Sequence, residues 1–328
     1  MTQNTACLIF NPVAGQSDPE QDLAKIRSLL EPEFDLDIRF TSEEKDADEI
    51  ASEAIAQGAK AIIASGGDGT LSAAANALVK TNIPLGIISR GTANAFAAAL
   101  ELPDTIEAAC ETILGGATRQ VDAATCNGLP MVLLAGIGFE AETVERADRR
   151  AKKRFGMLAY VMAGLQQLRE LESFTAEIET ADKVISLTAS AVTVANAAPP
   201  SSILAQGPAG VVFDDGLLDV TIVAPASRAG AIAASYHLLQ TALNENSAAD
   251  RDDIGYLRAQ RVIIRTNPAQ KVVVDGEIIG ETPIDVECVP GGLTIFVPRE
   301  AAPPAAIERL EGLPNLSVKE KPVEGFRE

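Results

Sequence analysis

The stretch AIIASGGDGTLSA, residues 61–73, decides how the rest of the chain is read. Ala61 to Ala64 form an apolar run that reads as a short buried strand. The run stops at Ser65-Gly66-Gly67, and a helical pattern opens near Thr70-Leu71. Strand, glycine turn and helix are the parts from which an α/β sheet builds a phosphate site. Gly66, Gly67 and Gly69 have no Cβ, so a polyphosphate can lie directly on the backbone. N–H groups of the first helical turn lack intrahelical partners and favour an anion. That dipole supplies roughly 0.3–1 kcal/mol, too little to hold a nucleotide, so other parts must converge on the turn. Asp68 is a negative charge inside a phosphate cradle, which makes sense if it faces a divalent cation. The motif is neither a GxxxxGK[ST] loop nor a dinucleotide fingerprint.

Outward from this turn, the first part of the chain alternates strands and helices. CLIF (7–10) reads as a strand and NPVAG (11–15) as the turn after it. Leu23, Ile26, Leu29 and Leu30 stand at helical spacing. FDLDIRF (34–40) alternates as a half-buried strand, and Thr41-Ser42 offers a cap to a helix starting near Glu43. PLGIIS (84–89) followed by RGTANAFAAAL (90–100) looks like a second copy of strand, glycine and helix. DTIEAACETIL (104–114) is a further helix stopped by Gly115-Gly116, and TRQVDAAT (118–125) a strand. This order predicts an α/β doubly wound parallel sheet over residues 1–122, whose ligands bind beyond the carboxyl ends of the strands.

After about residue 122 the pattern changes to short strands separated by turns, which predicts a β-rich sandwich domain over 123–298. Helical stretches are expected near 140–171 and 227–243. Residues 299–328 read as a proline-rich tail that can return to the first domain.

Composition narrows the partners. The 328 residues carry a formal net charge of −19, which argues against nucleic acid. Four scattered cysteines with no CxxC pair, and no signal peptide, suggest reduced thiols in a cytoplasmic protein. The single histidine, His237, excludes a multi-histidine metal site. Val184 to Phe213 is uncharged, yet Pro199-Pro200 breaks any membrane span, so a membrane would be met from the side, as a peripheral contact. A homodimer is left open.

Three further motifs can carry chemistry. VVVDGEII (272–279) sets Asp275 and Glu277 around an Asp-Gly hairpin turn. An alcohol needs a base during phosphoryl transfer, and either carboxylate could serve. FDDGLLDV (213–220) clusters Asp214, Asp215 and Asp219 at a turn, an oxygen set that suits Mg²⁺ or is simply a solvated hairpin. RADRRAKKR (146–154) is a basic run, either a solvated helix face or a patch for anionic lipid headgroups.

NPVAG, GGDGT (66–70) and GTAN (91–94), in that order, followed by DDGLLDV and VDGE (274–277), resemble the soluble lipid kinases of the diacylglycerol kinase and sphingosine kinase superfamily, in its bacterial, YegS-like branch. The resemblance runs from about residue 5 to about 297. It implies an ATP-binding domain similar to that of NAD kinase and phosphofructokinase, a β-sandwich domain, and the nucleotide between them. It implies ATP contacts at Asn11, Pro12, Val13, Ala14, Gly15, Thr41, Gly66, Gly67, Asp68, Gly69, Thr70, Leu71, Ser72, Ala73, Gly91, Thr92 and Asn94. Asp68 and Asp122 would join the magnesium and phosphate network. Asp275 and Glu277 would supply the proton acceptor and its partner. A structural Mg²⁺ would be held by the Asp215 side chain and the carbonyls of Val212 and Leu217. The substrate would be a diacylglycerol-like lipid at a membrane surface.

Two positions depart from that family pattern. The family reads GGDGT-x-x-Glu where this chain has Ala73, and GT-x-Asn-Asp where it has Ala95. Each loses a carboxylate, so weaker metal binding, another acceptor or a non-catalytic lipid- or nucleotide-binding regulator are alternatives, beside an NAD or polyol kinase. Arg90, just before Gly91, is expected either to tune the phosphate electrostatics or to be a surface cation.

Overall fold

A computed structural model of the chain describes residues 4–138, 173–199, 202, 211–224 and 254–299. The basic run at 146–154, the helices expected near 140–171 and 227–243, His237 and the tail beyond Arg299 lie outside the described residues.

The first part runs β1 (Asn4–Phe10), α1 (Pro19–Leu30), β2 (Phe34–Phe40), α2 (Ala47–Ala56), β3 (Ala61–Gly66), α3 (Asp68–Leu78), β4 (Leu85–Ser89), α4 (Ala95–Ala99) and α5 (Ile106–Gly115). Strands β2, β1, β3 and β4 are neighbours in that order and all parallel. Every residue of β3 and β4 is buried, because helices cover both faces. On one face Ile26 and Leu30 of α1 and Cys110 and Ile113 of α5 pack on Leu8, Phe10, Ile63 and Ile88. On the other, Ile50 and Ala54 of α2 and Leu71, Ala75 and Leu78 of α3 pack on Cys7, Ile9, Ile62 and Ala64. Each such aliphatic side chain contributes about 1.5–3 kcal/mol by leaving water. The strand order reverses between β1 and β3, so the crevice for a ligand opens there.

Two local expectations change. Helix α2 begins at Ala47, not near Glu43, because Asp46 caps it with a hydrogen bond from the Ala47 N–H at 2.6 Å. Ser42 closes a separate turn instead, accepting from the N–H groups of Glu44 and Lys45. The helix expected after Gly91-Thr92, within 90–100, is confined to Ala95–Ala99, because Asn94 adopts a left-handed φ of 50° just before it.

The second part runs β5 (Thr118–Cys126), β6 (Leu129–Met131), β7 (Leu134–Gly138), β8 (Phe174–Glu179), β9 (Val184–Ala189), β10 (Ala191–Ala195), β11 (Leu218–Val223), β12 (Ile254–Ala259), β13 (Arg261–Asn267), β14 (Lys271–Val274), β15 (Glu277–Glu281) and β16 (Ile284–Phe296). Strands β12, β11, β10, β7, β14 and β15 form one antiparallel sheet in that order. Its inner residues Ile137, Val192, Val220, Val272 and Val274 pack against Phe174, Ile178, Val262, Ile264 and Val286 of the facing sheet. That facing sheet is continuous with the parallel one. Strand β16 pairs antiparallel with β13 and β5, then parallel with β4 at Ile295 and Leu85. One of the two sandwich layers is therefore part of the same sheet that carries the glycine turn.

The long β16 changes course at a bulge between Val289 and Leu293. Pro290-Gly291-Gly292 fills it: Gly291 takes φ +59°, and a Cβ on Gly292 would lie 2.8 Å from the Val289 carbonyl oxygen. β5, which contains the 122/123 boundary drawn from the sequence, pairs along both sides of this bulge. Among the described residues no helix is long and apolar enough to cross a membrane. All four cysteines are free and buried.

Candidate active site

Three loops meet at the carboxyl ends of β1, β3 and β4. The Asn11 N–H donates to the Ser65 carbonyl at 2.9 Å, and the Arg90 N–H to the Gly66 carbonyl at 2.7 Å. Asn11 Nδ2 donates to Thr70 Oγ1 at 2.8 Å, which fastens NPVAG to the first turn of α3. The Thr41 N–H donates to the Phe10 carbonyl at 3.1 Å and brings the loop after β2 alongside. Gly67 and Gly91 approach so closely that a Cβ on Gly91 would lie 2.9 Å from the Gly67 Cα. Sequence-predicted residues from NPVAG, GGDGT and GTAN are thus brought together.

This crevice fits a phosphate chain. Helix α3 has no side-chain cap at Gly67, so its first N–H groups remain available. Gly69 has open space where its Cβ would be. Ser65 Oγ, Ser89 Oγ, Asn94 Oδ1 and Arg90 Nη2 are buried at the strand ends without protein partners. Native interiors rarely leave such groups unpaired, so this cluster marks a place built for added polar partners.

Arg90 is not a surface cation. Its side chain is 2% exposed, with Nε 2.8 Å from Asp22 Oδ2 and Nη1 donating to the Asn11 carbonyl at 3.0 Å. The guanidinium also sits 4.2 Å from the Phe10 ring centre. Burial works to raise the Asp22 carboxyl, but hydrogen bonds from Ser17 and Arg90, with the Arg90 charge, hold it below the usual carboxylate range. The sequence offered no sign of Asp22, since an acidic residue in a first helical turn is usually solvated.

Asp68 Oδ1 accepts from the Phe96 N–H at 3.0 Å and so ties the glycine turn to α4. Leu71 turns away from the crevice: it is fully buried in the apolar cluster and its N–H is bonded to the Gly67 carbonyl. Ser72 is buried as well, and Ala73 and Ala95 pack against the same cluster. Leu71, Ala73 and Ala95 give their side chains to the core, whereas the buried Ser72 Oγ has no protein partner.

The Asp275-Gly276 turn has left-handed φ values of 49° and 92°, the geometry of a tight hairpin between β14 and β15. The Asp275 carboxylate points back into the protein. Oδ2 accepts from the Val132 N–H at 2.8 Å, and Oδ1 from the Leu133 and Leu134 N–H groups at 2.9 and 3.0 Å. Burial raises this carboxyl, and the three backbone donors oppose that rise. Glu277 is exposed at the start of β15. Val132 and Leu133 belong to the apolar cluster that contains Leu71 and Phe96. The hairpin is thereby anchored to the elements that carry GGDGT and GTAN.

Asp122, which the resemblance puts in a metal and phosphate network, is held here by two backbone donors. Its Oδ2 accepts from the Gly216 N–H at 2.6 Å and its Oδ1 from the Gly291 N–H at 2.7 Å. Its two oxygens join the 213–217 turn to the β16 bulge. Asn196, which the sequence did not flag, continues the brace. Its Nδ2 donates to the carbonyls of Asp122 and Val132 at 3.1 and 2.9 Å.

The Mg²⁺ ligand set expected at Val212, Asp215 and Leu217 does not fit a resident metal. Asp215 Oδ2 lies 2.6 Å from Arg258 Nη2, and its Oδ1 accepts from the Leu217 N–H at 3.2 Å. Asp214 pairs with Arg119. Among the described residues no three His, Cys, Asp or Glu side chains gather as a metal cluster.

Comparison with known proteins agrees with this architecture. Residues 5–126 match the family described as the diacylglycerol kinase catalytic domain, and residues 134–297 the YegS C-terminal NAD kinase beta sandwich-like domain. An uncharacterized Synechocystis protein is 48% identical over 90% of this chain and 71% of its own length. The diacylglycerol kinase of Bacillus subtilis is 29% identical over 90% of this chain and 97% of its own. A Xanthomonas oryzae protein named "Probable lipid kinase YegS-like" is 32% identical over 89% of this chain and 96% of its own. A crystal structure of a diacylglycerol kinase from Bacillus anthracis superposes with a TM-score of 0.71, at 26% identity, over 91% of this chain and 98% of that one. With both family domains matched in order along this fold, and a relative 32% identical over 89% of this chain, the protein belongs to the YegS-like diacylglycerol kinase family.

Proposed function

We propose that this protein is an ATP- and Mg²⁺-dependent kinase that transfers the γ-phosphoryl group to a hydroxyl of a diacylglycerol-like lipid. The observation that carries the reading is the anchoring of the Asp275 carboxylate on the backbone of 132–134, within the cluster that also holds Leu71 and Phe96.

The phosphates would rest on Gly66, Gly67 and Gly69 and on the open N-terminus of α3, with NPVAG, Thr41 and Gly91 to Asn94 closing the sides. Mg²⁺, when bound with ATP, would neutralise charge on the transferring group, and Asp68 is the carboxylate of the crevice that would meet it. Glu277 is the proton acceptor in this reading. It is exposed, whereas both Asp275 oxygens are held by backbone donors. The lipid hydroxyl oxygen forms the new P–O bond, its proton passes to Glu277, and the bond between the γ-phosphorus and the β,γ-bridging oxygen breaks. Asp275 positions Glu277 by fixing the hairpin. Most of the acceleration would come from positioning and charge neutralisation, with base catalysis adding about 10²–10⁴. The sandwich would take the acyl chains, the protein docking from the cytoplasmic side as a peripheral enzyme.

Ala73 and Ala95 support a second reading, a lipid- or nucleotide-binding regulator, because both pack into the apolar cluster where family members carry acids. Turnover separates the two. Incubation with labelled ATP and total lipid extract should yield one labelled lipid, and NAD or polyols offered instead should stay unlabelled. Label on NAD or a polyol, or no label on any lipid, would refute the lipid kinase reading.

A further inference from the structure

Arg258 engages Asp215, the one side chain that the family resemblance assigns to a structural metal. It lies on β12 directly opposite Asp219 on β11. Its Nε and Nη2 contact Asp219 Oδ1 and Oδ2 at 3.0 and 3.3 Å, and the same Nη2 reaches Asp215 Oδ2 at 2.6 Å. Asp219 is 5% exposed. Two carboxylates this close need a cation between them, and a partly buried one needs it most. The guanidinium fork meets that need with directional hydrogen bonds from a permanently charged group.

We infer that Arg258 acts as a built-in cation, closing the 212–219 turn in place of a structural divalent metal. Each acid of the turn then has a protein partner: Asp214 has Arg119, while Asp215 and Asp219 share Arg258. The turn matters beyond itself. The Gly216 N–H holds Asp122, and the Asp122 carbonyl accepts from Asn196, which also bonds the carbonyl of Val132. Val132 in turn donates to Asp275. Arg258 thus sets the far end of the brace that ends at the carboxylate hairpin, with no metal to lose.

The inference does not depend on what the protein phosphorylates, so its test reads stability. Nucleotide-free protein is melted in excess EDTA and in millimolar Mg²⁺. Wild type should melt at one temperature in both. Arg258→Met should melt roughly 5 °C lower in EDTA, a figure discounted for the partial exposure of the fork, and should regain part of that loss in Mg²⁺. Arg258→Lys, which keeps the charge without the fork, should fall between them and serves if the Met variant does not fold. A wild-type protein that loses stability in EDTA, with the loss abolished by Asp215→Asn, would show a resident metal and overturn the inference. So would an Arg258 variant that melts like wild type in EDTA.

Discussion

Arg90 Nε lies 2.8 Å from Asp22 Oδ2, and this buried pair links the end of β4 to the first turn of α1. Through Nη1 the same guanidinium holds the Asn11 carbonyl, and through Asn11 the pair reaches Thr70. Breaking it leaves a buried charge unpaired, which costs about 3–5 kcal/mol. Arg90→Met is therefore expected to lower unfolding free energy by about that amount in a denaturant titration. Arg90→Lys keeps the charge but loses the fork. It should fold and raise the KM for ATP about tenfold, a loss of ~1.4 kcal/mol. An unchanged KM would remove Arg90 from the site.

The same pair sets a pH dependence. The Asp22 carboxyl is held below its ordinary value of 3.8 in the folded state. A carboxyl with a depressed folded pKa stabilises the fold fully above the unfolded value, and that contribution disappears as pH falls through the folded value. Stability should thus drop at pH below about 4, and Asp22→Asn should flatten that part of the profile. Urea titrations across this range, wild type against variant, make the measurement.

Gly91 and Gly69 should answer differently to one added methyl group. At Gly91 the new Cβ would meet the Gly67 Cα at 2.9 Å, while at Gly69 it meets nothing within 4 Å. Gly91→Ala is expected to destabilise the protein by about 1–3 kcal/mol, because the Gly67 Cα is backbone and cannot turn aside. Gly69→Ala should leave the melting temperature of free protein unchanged yet reduce the shift produced by ATP. Thermal melts with and without ATP separate the two.

At Asp275 the issue is hydrogen bonding. An amide in its place sets an NH₂ group among the N–H donors of Val132, Leu133 and Leu134. Asp275→Asn should cost about 1–3 kcal/mol in stability and also lower turnover, because the hairpin loses its anchor. A variant as stable as wild type would show that this carboxylate does not fix the hairpin.

The parallel half of the fold was legible because β3 and β4 are continuous apolar runs between glycine turns. So was the Asp275-Gly276 hairpin, whose residue pair suits left-handed φ at both positions. Helix starts were less legible: Asp46 outcompeted Thr41 and Ser42 as a cap, and Asn94 cut α4 to one short segment. Shared strands were not legible either. Nothing local distinguishes the bulge at Gly291-Gly292 from a turn between two strands, so the continuity of β16 from sandwich to parallel sheet emerged only in space. At the site, motif residues were visible but their partners were not. Asn196 follows an ordinary apolar strand, and nothing near Asp122 in the sequence announces the glycine N–H groups that its two oxygens accept from. Long-range pairing decides such roles, and sequence spacing carries little trace of it.

Glu277 is expected to take a proton from a lipid hydroxyl while ATP lies on the glycine turn. Purified protein, labelled ATP and diacylglycerol in mixed micelles measure this directly, with Glu277→Gln as the partner sample. Wild type should label the lipid, and the variant, melting at the same temperature, should do so about 10²–10⁴ times more slowly. Lipid labelling that proceeds at the wild-type rate in Glu277→Gln, or is missing from wild type under saturating ATP and Mg²⁺, would contradict it.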